Sequence, residues 1–397
     1  MKEIKKRAVE LSDQIISWRR DLHQIPELDL DLPKTRGYIL ARLNEMGIPY
    51  RTFQGNSSIV ATIIGGKPGK AVALRADMDA LHITETTGLP YASTNGNMHA
   101  CGHDNHAAML LGAAKILQER KAEIPGTVKL FFQCAEEGSG GAEDLIRDGV
   151  MENPDVGAVF GQHVGQLLAD LPPGYIGFYP GGFMASRDSF IITVKGKGGH
   201  GATPAECIDP VVISAHLVLA LQELVSRECA GTDMAVLTIG SIHGGEVYNV
   251  IPDTVELGGA IRCLDEAVRQ KLDRRIPEVC EGICQTYRAS CEIEFEKGYP
   301  VTYNDDGLTQ FTYEIARDLF GEDEVGYVKK PMMSSEDFAF YAQKCPGSFW
   351  FLSTRPTDRP AYPNHSSNFV ADDQWIYRGT AILAASALKW LQEAVDK

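Results

Sequence analysis

The side chains able to hold a metal ion are unevenly spread along this 397-residue chain. The run His99-Ala-Cys101-Gly-His103-Asp104-Asn105-His106 sets imidazoles and a thiol just ahead of an apolar stretch with helical spacing. Asp77 and Asp79 follow one short β-rich run, Glu136 and Glu137 a second, and His163 a third. His365 follows a fourth, after a loop. Thiolate, imidazole and carboxylate are the donors that bind zinc and related cations. Cations held this way polarise carbonyls and acidify water, which is the chemistry of hydrolysis. Each piece is weak by itself. Tandem glutamates usually form a solvated face, and a lone histidine at a strand end is more often hydrogen-bonded than metal-bound. Cys101 and His103 would suit a structural zinc site only with two more close ligands at characteristic spacing, and the sequence offers none.

What gives the pieces weight is the set of elements that carries them. Strand-like runs at Ser58–Ile64, Ala71–Arg75, Thr127–Gln133, Val156–Gly161 and Ser348–Ser353 alternate with helical patterns at Asn105–Arg120 and Ala142–Asp148. That alternation predicts an α/β fold with a mostly parallel sheet. Ligand sites in such sheets form beyond the carboxyl ends of the strands, where the carboxylates and imidazoles fall. Between residues 184 and 297 the pattern changes to strand, helix, strand, strand, helix, strand. This is the order of a ferredoxin-like α+β sandwich. The reading is therefore a discontinuous catalytic domain, residues 1–183 and 298–397, with a smaller domain at 184–297 inserted into it.

Acidic residues outnumber basic ones 53 to 38, giving a net charge of −15. A field of that sign repels nucleic acid and anionic membranes, so neither is expected as a partner. The amino-terminal segment carries charges throughout and does not read as a signal peptide. No uninterrupted apolar stretch reaches membrane-spanning length. The nine cysteines form no paired framework. They read as reduced thiols, with a cytoplasmic location expected.

In order along the chain, several segments resemble the aminoacylase/carboxypeptidase superfamily of co-catalytic metallohydrolases. The branch is that of hippurate hydrolases, auxin-conjugate amidohydrolases and N-acetyl-diaminopimelate deacetylases. The segments are Leu22–Leu28, Arg75-Ala-Asp-Met-Asp-Ala-Leu81, the run from His99, Phe132–Glu137, Gly198–Pro204, Asn249-Val-Ile-Pro252, Arg262 and Ser335-Glu-Asp-Phe338. The resemblance implies metal-dependent hydrolysis of the amide bond of N-acyl-amino acids, with dipeptidase or carboxypeptidase action as the alternative. It implies two divalent ions, with zinc favoured by the thiolate and imidazoles and manganese, cobalt or nickel as substitutes. Cys101 would bridge the two ions, and His103, Glu137, His163 and His365 would complete their coordination. Asp77 and Asp79 would support the ligands from behind, and His106 fits either that role or plain packing. Glu136 would act as general base and His200 would stabilise the oxyanion. Asn249 and Arg262 would recognise the free carboxylate of a small-molecule substrate. The resemblance also implies a homodimer, formed through the smaller, lid-like domain.

The chain departs from the branch pattern at His82, at Cys134 and in Asn364-His365-Ser366-Ser367. Gly196-Lys-Gly-Gly-His-Gly201 fits a dinucleotide fingerprint by spelling alone. The acidic residue expected about 20 positions later, at the end of a following strand, is replaced by helical sequence. A non-catalytic relative is disfavoured because Glu136 and every implied ligand are present.

Overall fold

The computed structural model describes residues 1–394. They divide into two compact units: residues 1–181, 303–330 and 337 onward form the larger, and residues 182–302 with 331–336 form the smaller.

The larger unit is built on an eight-stranded sheet. Its spatial order is Tyr50–Thr52, Ile59–Ile64, Pro125–Gln133, Lys67–Asp77, Val156–Gly165, Gly347–Ser353, Ile176–Phe178 and Val325–Tyr327. The four strands from Pro125–Gln133 to Gly347–Ser353 run parallel. Every residue of Pro125–Gln133 and of Gly347–Ser353 is buried. Parallel strands are covered on both faces, which is why these segments read as apolar runs rather than as alternation. Helices Ser12–His23, His103–Glu119 and Ile376–Ala394 pack together on this sheet. Gly112 lets them approach: a Cβ there would meet Ile15 Cδ1 at 2.8 Å and Thr380 Cγ2 at 2.9 Å. Because the middle strands share one direction, Asp77, Gln133, Gly165 and Ser353 end at the same edge of the sheet.

The start of helix His103–Glu119 is anchored from below. Asp104 in its first turn lies 2.8 Å from both Arg19 Nε and His23 Nδ1, with all three side chains buried. Burial alone would raise the Asp104 carboxyl, but the Arg19 and His23 charges outweigh it and hold it far below the usual range. A depressed folded-state pKa stabilises above the unfolded value of about 3.9 and is lost as pH falls below it. Asp104→Ala is expected to cost about 3–5 kcal/mol at neutral pH, because Arg19 loses its close buried counter-charge. Denaturant titration checks this, and the gap from wild type should narrow below about pH 4.

The smaller unit has an antiparallel sheet ordered Ala235–His243, Thr254–Cys263, Asp188–Lys195 and Ser290–Lys297. Alternate residues Phe190, Ile192 and Val194 point into a core with Leu217 and Leu221 of helix Pro210–Glu223 and Leu272 and Ile276 of helix Glu266–Thr286. Both helices start on an aspartate, Asp209 and Asp265, whose carboxylates accept the N–H of Val211 and Ala267 at 2.8 Å. The stretch Pro210–Glu228 is apolar and long enough to cross a membrane by length and composition. Here Ile213, Leu217, Leu221 and Leu224 fill the core of this unit instead.

Candidate metal centre

Three backbone features set the donors at the sheet edge. Gly102 adopts the left-handed region at φ +88°, and a Cβ there would lie 2.6 Å from Val164 Cγ2. Only glycine fits this turn, which presents Cys101 and His103 to one site. Ala135 at φ +63° and His365 at φ +68° also sit in the left-handed region. For residues other than glycine such strain costs about 1–3 kcal/mol and persists where surrounding contacts enforce it. The contacts are visible: the N–H groups of Glu136 and Glu137 donate to Asp79 Oδ1 and Oδ2 at 3.1 and 3.0 Å. The His365 N–H donates to the Ala100 carbonyl at 2.8 Å.

The donor atoms converge in two sets that share one sulfur. Cys101, His103 and His163 form the first and Cys101, Glu137 and His365 the second; within each, the ligand atoms lie within 4.8 Å of one another. Cys101 Sγ is 3.4 Å from His163 Nε2 and 3.3 Å from His365 Nε2. Glu137 Oε1 is 3.3 Å from His365 Nε2 and 3.8 Å from His103 Nε2. A tetrahedral zinc with bonds of ~2.3 Å to sulfur and ~2.0 Å to nitrogen separates those two atoms by roughly 3.5 Å. The observed spacings suit a cation between the donors.

Two further observations fit a cation. Both ring nitrogens of His103 and Glu137 Oε1 are buried without a hydrogen-bond partner, a costly state that a metal would relieve. The charge balance is also anionic. Burial would lower the His103 pKa, but Asp77, Asp79 and Glu137 raise it to about 10. Burial together with Glu137 and Glu136 pushes the Cys101 thiol well above its usual value. Glu137 itself, despite burial, is held down at about 2 by His365 and His103. The pocket therefore calls for positive charge. His163 contrasts with its neighbours: burial and the nearby His106 keep it well below the usual histidine value, hence neutral. Its Nδ1 donates to the Val164 carbonyl at 2.6 Å, leaving Nε2 facing Cys101.

The residues behind the donors divide by role. Asp79 lies 3.4 Å from His103 Nδ1 while holding the backbone of Glu136 and Glu137. Asp77 instead engages His106 Nδ1 at 2.5 Å and Arg75 Nη1 at 2.7 Å. Its nearest approach to His103 Nε2 is 3.7 Å. His106 spends its other nitrogen accepting the Val164 N–H at 2.9 Å, so it serves hydrogen bonding rather than coordination. In the sequence Asn364 stands out only as a departure from the branch pattern. Its Nδ2 bridges the carbonyls of Cys101 and Val164 at 3.2 Å each, and its Oδ1 accepts the Gln166 N–H at 2.8 Å. Asparagine carries the two N–H donors and the carbonyl acceptor that this junction uses, whereas a neutral histidine offers only one donor and one acceptor.

The remaining candidates belong to the smaller unit. His200 is exposed on a two-stranded ribbon in which it pairs with Val250, and the Gly201 N–H donates to the Asn249 carbonyl at 2.9 Å. Tyr248 beside Asn249 projects fully into solvent. Arg262, half-buried near the end of strand Thr254–Cys263, donates from Nη1 to the Met333 carbonyl at 3.3 Å.

Comparison with known proteins agrees with this architecture. A profile of the peptidase family M20/M25/M40 matches residues 73–389. Thermostable carboxypeptidase 2 of Saccharolobus solfataricus is 39% identical over 396 residues, covering 98% of each chain. Hippurate hydrolase of Campylobacter jejuni is 36% identical over 387 residues, covering 97% of this chain and 98% of its own. The crystal structure of the Bacillus subtilis YXEP protein, described as a dinuclear metal binding peptidase from M20 family, superposes with a TM-score of 0.83 at 34% identity. The match covers 96% of this chain and 99% of that one. On the strength of a match that runs through both halves of the metal centre, the chain belongs to peptidase family M20/M25/M40.

Proposed function

We propose that the protein is a two-metal amidohydrolase acting on N-acyl-amino acids, releasing a carboxylic acid and a free amino acid. The observation that carries this reading is the sharing of Cys101 between two donor sets with the Glu136 carboxylate beside them. Cys101, His103 and His163 would hold one divalent ion, and Cys101, Glu137 and His365 the other. Zinc is the proposed metal, because thiolate and imidazole favour it, with manganese, cobalt or nickel as substitutes. Ions bound there supply Lewis acidity towards water and the amide carbonyl.

The chain's own groups do the rest. Glu136 takes the proton of the attacking water and delivers it to the leaving amine nitrogen. Asp79 keeps Glu136 and Glu137 in register by holding both backbone N–H groups. His200 donates a hydrogen bond to the developing oxyanion. Its exposed ribbon, with Tyr248 projecting beside it, suits insertion into a second copy of the chain, so the active form is a homodimer. All nine cysteines are free, in keeping with a reducing, cytoplasmic setting.

Arg262 and Asn249 receive the substrate's free carboxylate. Burial and the nearby Arg187 charge lower the pKa of Arg262, and among the described residues no carboxylate pairs with it. An arginine fork in that condition suits an incoming anion. Arg262→Ala is expected to raise KM for an acyl-amino acid by about 10- to 100-fold, the equivalent of one charge-assisted hydrogen-bonded contact. Hydrolysis of the matching amide without a carboxylate should not change.

Elemental analysis combined with an acyl-amino acid panel (acetyl, benzoyl, indoleacetyl) and matched dipeptides tests the function. Two ions per chain and metal-dependent release of free amino acid from the acyl substrates is the expected result. Preference for dipeptides would move the protein to peptidase action. No metal binding under reducing conditions would defeat the reading.

A further inference from the structure

A single line of hydrogen bonds runs behind His163, and each link has only one allowed direction. The Val164 N–H can only donate, so His106 Nε2, at 2.9 Å, accepts. The proton of a neutral His106 then sits on Nδ1 and points at Asp77 Oδ1, 2.5 Å away. The other Asp77 oxygen receives Arg75 Nη1 at 2.7 Å. Arg75 is fully used on its far side too, with Nη2 2.5 Å from Asp337 Oδ1 and Nε 3.0 Å from Gln133 Oε1. Asp337 is fixed in turn by the Gln133 amide at 2.6 Å and the Ala142 N–H at 3.1 Å. Arg75, Asp77, His106, Gln133 and Asp337 are all buried. At the other end the Val164 carbonyl accepts His163 Nδ1 at 2.6 Å, which leaves His163 Nε2 facing Cys101.

We propose that Arg75, clamped between Asp77 and Asp337, is a positioning residue that fixes the tautomer of His106 and, through the Val164 backbone that His106 holds, the ring orientation of His163. The inference rests on His163 being a metal ligand. The guanidinium is required for its shape: it spans two carboxylates and an amide oxygen in one plane, whereas an ammonium is a point charge. Groups bonded directly to a metal ligand typically change metal affinity about 10- to 100-fold when removed, and Arg75, several links further out, falls at the low end of that range.

The test uses metal-free full-length protein, with zinc affinity measured by competition against a chromophoric chelator. Histidine ring tautomers are read in parallel by nitrogen-15 NMR. Arg75→Gln is expected to weaken zinc binding about 10-fold and to replace the single His106 tautomer by a mixture. Arg75→Lys keeps the buried charge and guards against loss of the fold; it should fall between wild type and Arg75→Gln. A folded variant with wild-type zinc affinity and unchanged tautomers overturns the role of Arg75, even if its melting temperature has dropped. Failure of the wild type to bind zinc would instead defeat the ligand assignment.

Discussion

Glu136→Gln is expected to retain two metal ions per chain and to lose turnover by a factor on the order of 10²–10⁴. The amide keeps the size of the side chain and cannot accept the proton of water. Glu136 and Glu137 both approach His103 Nε2, at 3.9 and 3.8 Å. Only Glu137 also joins the set made with Cys101 and His365. That difference is the reason Glu136 is proposed as the proton carrier and Glu137 as a ligand, although Glu136 also lies within ligand range of His103 and Glu137. The decisive measurement pairs kcat with metal content on the same sample. Loss of an ion in the Gln variant would make Glu136 a ligand, and retained turnover would place the base elsewhere.

Cys101→Ala should be at least as damaging, for a different reason. Cys101 is the one residue common to both donor sets, so its loss leaves each with two side chains. The expected result is fewer than two ions retained after dialysis. The accompanying loss of Lewis acidity is worth several kcal/mol, on the order of 10³ in rate. Cys101→Asp offers oxygen donors in place of sulfur and should recover part of both properties. Full occupancy and normal rate in Cys101→Ala would show that the thiolate does not bridge. Lost activity with an unchanged melting temperature of the metal-free protein would locate the effect in chemistry.

The fold was legible because its signals are local. Thr127–Gln133 is apolar throughout for the reason that parallel strands are covered on both sides. The strand, helix, strand, strand, helix, strand order of the smaller unit follows from alternation that a single buried face imposes. The placement of Asp77, Glu136 and His163 near strand ends needed nothing beyond counting from those runs. The strand ending at Asp77 begins earlier than its apolar stretch suggests, at Lys67, since its first four residues are exposed and leave no hydrophobic mark.

What escaped the sequence depends on partners distant along the chain. Nothing near Arg75 announces Asp337, which reaches it from beyond the smaller unit. The role of His106 is set by Val164 and Asp77, which occupy its two nitrogens from distant parts of the chain. The left-handed backbone at Ala135 and His365 has no glycine to advertise it. Asn364 looked like a defect in a motif, yet it ties together the segments carrying Cys101 and His163.

The division of the donors along the chain has a consequence for biosynthesis. Cys101, His103 and His163 all precede the smaller unit, whereas His365 follows it. The strand Gly347–Ser353, which lies beside Val156–Gly165 in the sheet, is likewise made late. On the ribosome the first set of donors emerges long before its sheet can close, and the second lacks a member until the inserted unit has been synthesised. The two donor sets can therefore be complete together only once the segment carrying His365 has been made and has packed beside Cys101.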